Sequence, residues 1–72
     1  MARETLYNVA RRYVEIIERM ERTRDKAILA DLEEYRVMCH NKLIQTLKRE
    51  GIPYKDRDHV TRLAYAIAWR DE

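Results

Sequence analysis

From Leu6 onward, apolar side chains return at every third or fourth position: Leu6, Val9, Ala10, Tyr13, Ile16, Ile17 and Met20. At about 100° per residue these positions gather into one stripe of an α-helix, and Tyr7 and Val14 widen it. Arg11, Arg12, Glu15, Glu18, Arg19 and Arg22 fall opposite. There Glu15–Arg19 and Glu18–Arg22 have the i,i+4 spacing of weak ion pairs, each contributing about 0.3–0.5 kcal/mol. The pattern predicts a first helix over residues 4–22.

A second periodic segment predicts a helix over residues 25–50. Ile28, Leu29, Leu32, Tyr35, Cys39, Leu43 and Leu47 form its main apolar face, while Ala30, Val37 and Ile44, spaced by seven, lie on a separate side. A helix apolar on two sides is either central to its bundle or shared with another chain. Between the two segments stand six polar residues, Glu21 to Lys26, with no Gly or Pro among them. The apolar phase admits either a hairpin or one helix running on to residue 50. Charge placement favours the hairpin. Arg19, Arg22 and Arg24 precede the break and Asp25, Asp31, Glu33 and Glu34 follow it, matching the negative end of one helix dipole and the positive end of the next.

Gly51 is the expected left-handed stop, with Pro53 just beyond. Asp56 has the character of an N-cap for a third helix over residues 56–70, and Asp58 adds negative charge to its first turn. Val60, Leu63, Ala64 and Ile67 form its inner stripe. The expected fold is all-α: a long antiparallel helical hairpin plus a shorter third helix, a three-helix bundle forming one domain over residues 1–72.

Composition agrees with helices and raises a question of stability. One Gly, one Pro, no Phe and 39% charged residues leave little with which to build turns between strands. A domain this small buries only about 60% of the surface its unfolded chain exposes, so one core is marginal. Cys39 is the sole cysteine, which excludes an intrachain disulfide, and with only His40 and His59 beside it a structural zinc site is nearly excluded. Regular helix packing and self-association remain. A homodimer or a higher homo-oligomer, with Ala30, Val37 and Ile44 at its interface, is therefore expected. The longest apolar run, Leu63 to Trp69, has seven residues, far short of a membrane span. A lone thiol and no apolar leader point to the cytoplasm.

The formal charge is only +2 and conceals thorough mixing of signs, whereas dedicated nucleic-acid binders carry a surplus on one segment. Arg outnumbers Lys eleven to four, which suits interfaces with either protein or phosphate. Arg11, Arg12, Arg19 and Arg22 share a broad face and carry a nucleic-acid alternative, although Glu15 and Glu18 lie within it. A helix-turn-helix centred on Gly51 and Ile52 is opposed by Pro53 and by Asp56 and Asp58, which would repel phosphate.

Candidate chemistry is sparse. Cys39 and His40 are adjacent on a helix, so their side chains diverge by about 100° and cannot form a nucleophile–base pair unaided. A core thiol beside a surface histidine accounts for both. Asp56, Asp58 and His59 read as helix capping before they read as a metal site. Glu15/Glu18 and Glu33/Glu34 sit among basic partners on polar faces, as solvated surfaces do. No Gly-rich phosphate loop is present. Neither an enzyme, a cofactor, a membrane partner nor a small-molecule substrate is expected.

The surface that stands out is on the third helix. Arg62, Tyr65 and Trp69 lie within about 60° of one another, Asp58 is placed to pair with Arg62, and these residue types are enriched at interface hot spots. Tyr65 and Trp69 could equally fold over a neighbouring helix and complete the core. The expected function is a small non-enzymatic interaction module, a regulator or adaptor acting through protein contacts. A dimeric DNA- or RNA-binding regulator and a purely structural homo-oligomer are the alternatives.

Overall fold

Each helix begins where a side chain replaces a missing backbone acceptor. The computed structural model describes residues 5–69 and contains three helices, α1 (Leu6–Arg22), α2 (Lys26–Glu50) and α3 (Arg57–Ala68), with no strand among the described residues. Glu4 and Arg70, expected at helix ends, lie outside that range. Thr5 Oγ1 accepts the Asn8 N–H at 3.1 Å, Asp25 Oδ1 accepts those of Ala27 and Ile28 at 2.9 and 3.3 Å, and Asp56 Oδ1 accepts that of His59 at 2.9 Å. Each such cap contributes about 1 kcal/mol. His59 at the third helical position reaches back, its Nδ1 accepting the Lys55 N–H at 3.0 Å.

The two stops differ. α1 ends at Thr23, whose backbone is extended. Its hydroxyl donates to the Arg19 carbonyl at 2.7 Å and its N–H to the Met20 carbonyl at 3.2 Å. These bonds satisfy two terminal carbonyls without a glycine, so the polar stretch is a hairpin turn and not part of one continuous helix. α2 ends at Gly51, at φ 75° and ψ 25°. The Gly51 N–H bonds to the Lys48 carbonyl at 3.1 Å and the Ile52 N–H to that of Leu47 at 2.9 Å, the paired closure that needs a left-handed residue.

α1 is the hub. It packs against both α2 and α3, while α2 and α3 scarcely touch each other. The core joins Val9, Ala10, Tyr13, Val14 and Ile16 of α1 to Leu32, Cys39, Leu43 and Leu47 of α2 and to Val60, Ala64 and Ala68 of α3. Thr46 is also buried, its hydroxyl satisfied by the Lys42 carbonyl at 2.8 Å. The small side chains Ala64 and Ala68 let α3 lie close against the hub. Of the two roles open to α2, then, the central one belongs to α1. Tyr13 spans all three helices: it is 1% exposed, its ring stands 5.6 Å from that of His40 on α2, and its hydroxyl is 3.3 Å from Thr61 Oγ1 on α3.

Two expectations need correction. Ile28 and Tyr35, placed on the main apolar face of the second helix, are 50% and 46% exposed. Ile28 shares its direction with buried Thr46, but it sits in the first turn of α2, at the open end of the hairpin. Tyr35 lies on the flank of the buried arc, beyond the reach of α1. The surface ion pairs also differ. Glu15 pairs with Arg11 at 3.5 Å, not with Arg19, and Glu18–Arg22 does not form among the described residues. Arg11 is already held by Tyr7, donating to its hydroxyl at 2.7 Å with the guanidinium 5.9 Å from the ring centre. That bond, more than the nearby Glu15, raises the Arg11 pKa.

Removing the hub side chain separates its two roles. Tyr13→Phe should lower the unfolding free energy by about 1 kcal/mol, the worth of one hydrogen bond. Tyr13→Ala should cost about 3–5 kcal/mol, a large part of the stability of so small a domain. Urea denaturation, with the slope unchanged, measures both.

Candidate functional site

Because α2 and α3 are each held by α1 and not by one another, concave surfaces open on either side of α2. The first lies between α1 and α2, has a volume of about 230 Å³ and is lined by Val9, Arg12, Tyr35, Met38, Cys39 and Lys42. Its floor is apolar and Arg12 and Lys42 place positive charge at its edge. Met38 is 64% exposed and continues the strip of Ile28 and Tyr35, the three lying within about 80° on α2. The second, about 290 Å³, lies between α2 and the start of α3 and is lined by Arg36, His40, Tyr54, Arg57 and their neighbours.

The proposed α3 anchors do not act as one group. Tyr65 is half-buried against the core. Its hydroxyl pKa is raised first by burial and then by Glu21 and Glu18, which places the side chain over the C-terminal half of α1. Arg62 is exposed, and no Arg62–Asp58 ion pair forms among the described residues. Trp69 is 62% exposed, with its backbone N–H bonded to the Tyr65 carbonyl at 3.0 Å. Tyr65 thus belongs partly to the core, while Arg62 and Trp69 face water.

Of the residues expected at an oligomer interface, Ala30 and Val37 are exposed, and Ile44 is half-buried at the second cleft. On α1, Arg11, Arg12, Arg19 and Arg22 are all exposed. The Arg11–Glu15 pair occupies part of that face and Arg12 turns to the first cleft.

His40 departs most from its expected surface position. It is half-buried against Tyr13, the rings tilted by 50°, and its Nε2 is buried with no hydrogen-bond partner among the described residues. Burial lowers its pKa, and Arg57 and Arg36 lower it further by repelling a second cation. Arg36 itself is held charged chiefly by Glu33, whose two oxygens accept from its Nε at 3.0 Å and its Nη2 at 2.6 Å. Reading the sequence missed this cluster, although a signal was present. Arg36, His40 and Ile44 stand four residues apart and form one ridge beside the buried arc of α2. What brings Arg57 to it is the path of residues 51–56, which periodicity does not specify.

No protein family, curated protein or solved structure matches the chain. Among the described residues no group of three or more His, Cys, Asp or Glu could hold a metal, and no helix is long and apolar enough to cross a membrane. Asp56 and His59 serve as helix caps.

The surroundings of His40 predict a pH dependence of stability. Its folded pKa lies below its unfolded value near 6.5, so the fold favours the neutral ring. Its contribution is therefore complete above that value and is lost as pH falls through it toward the depressed folded pKa. Between pH 7.5 and 5 the thermal midpoint should fall, and His40→Leu should flatten that slope. An equal slope in the variant would assign the effect to other groups.

Proposed function

We propose that the chain is a small non-enzymatic helical interaction module, a regulator or adaptor that acts by occupying the surface of a partner protein in the cytoplasm. The observation that carries this reading is the uncovered apolar strip Ile28–Tyr35–Met38 running into the first cleft. Large apolar side chains kept in water cost solvation free energy that burial by a partner recovers, about 1.5–3 kcal/mol for each one fully covered. The partner segment that fits this surface is apolar, seated on the strip and in the adjoining cleft. Trp69, exposed at the end of α3, offers a second anchor of the kind that dominates interface energetics. Self-association is a second reading that uses a different surface, Ala30, Val37 and Ile44 on the opposite flank of α2.

The paired substitution Tyr35→Ser with Met38→Ser tests the reading, because both side chains are already exposed and their loss leaves the core intact. The variant should retain wild-type helicity and bind a protein partner captured from source lysate at least about tenfold more weakly. Trp69→Ala should weaken the same association without unfolding. Capture that is abolished by nuclease and falls steeply with salt would replace this reading with the phosphate-binding one. Capture unchanged in the paired variant would refute the α2 surface. Sedimentation of the purified chain at high micromolar concentration distinguishes the homodimer from the monomer.

A further inference from the structure

We propose that the second cleft, between α2 and the start of α3, is a binding site for a small carboxylate with an apolar body. Val37, Ile44, Tyr54 and Val60 give it apolar walls, and Arg36, His40, Asp56 and Arg57 converge on it from two helices and the loop between them. Its volume, about 290 Å³, stands at the small end of organic-ligand sites. The cleft is a product of the architecture, since α1 holds both walls in place with little direct contact between them.

The charged groups point to a carboxylate. Arg36 is committed to Glu33 through two hydrogen bonds, so that pair is neutral as a unit. Asp56 Oδ1 is committed to the His59 N–H. His40 contributes a neutral ring, with Nε2 sealed from solvent. Arg57 feels the Glu33 carboxylate electrostatically, but among the described residues its side chain makes no hydrogen bond or ion pair, and only its carbonyl is used, by the Thr61 hydroxyl at 3.2 Å. A guanidinium fork matches a carboxylate by two parallel hydrogen bonds. A ligand of higher charge would meet Glu33 and Asp56 close by, whereas a monoanion engages one cation and lays its apolar part on Tyr54 and Val37. This site is separate from the Ile28–Tyr35–Met38 strip, so failure of either leaves the other standing; it shares Val37 and Ile44 with the self-association contact, and a dimer formed there would compete with the carboxylate.

Titrating the ¹⁵N-labelled full chain with benzoate, acetate and benzyl alcohol tests the proposal. Benzoate should produce saturable shifts at the Arg57 Nε–H and at the Tyr54 and Val60 amides. Acetate, with the charge alone, and benzyl alcohol, with the ring alone, should each bind at least about tenfold more weakly. Arg57→Gln should weaken benzoate by a similar factor without moving the thermal midpoint, and Val37→Ser should weaken benzoate but not acetate. Shifts that stay linear with concentration, an equal response to acetate, or unaltered benzoate affinity in Arg57→Gln would overturn it.

Discussion

The whole structure depends on one helix being shared. α1 must bury apolar surface against α2 and α3 at once, and its sequence supplies an arc wide enough to do so, with Val14 and Ile16 buried alongside Val9, Ala10 and Tyr13. Tyr13 is where the sharing becomes chemical. A buried phenol must satisfy its hydroxyl as well as pack its ring, and here the ring meets α2 and the hydroxyl meets α3. Phenylalanine could fill the volume but could not join the third helix by a polar contact.

The accessible surfaces follow from that division. α2 has 25 residues against 17 in α1, and only part of its circumference finds a neighbour. One flank therefore keeps Ile28, Tyr35 and Met38 in water, and the other forms a cleft with α3 where Arg36, His40 and Arg57 gather. Placing three basic groups together is tolerable because Glu33 neutralises Arg36 and because burial keeps His40 uncharged. The neutral histidine is thus a consequence of crowding, and it ties the protonation of one ring to the packing of all three helices.

Much of the backbone was legible in the sequence because its signals are local. Gly51 followed by Pro53, the carboxylates of Asp25 and Asp56 at cap positions, and the spacing of three and four along α1 each act within a few residues. Which helix is central was not legible. The apolar positions on both sides of α2 suggested a middle element, but the decision rests on the path of the loop after Gly51, which carries α3 to α1. The same limit applied to the sites. Tyr35 looks buried by periodicity and stands in water, while His40 looks exposed and lies against Tyr13, since flank positions depend on how far a neighbour reaches. Arg62, Tyr65 and Trp69 share a direction on an isolated helix, yet α1 claims the middle residue and leaves the outer two.

The hub's position in the chain has a consequence for how the protein is made. α1 is synthesised before either partner, and its link to α3 through Tyr13 and Thr61 closes across 48 residues. Until α3 has emerged, the nascent hairpin carries an uncovered greasy groove along its first helix, open to chaperones or to the same groove on another unfinished chain. α3, the last of these three helices to leave the ribosome, is therefore the lid that ends this vulnerable interval.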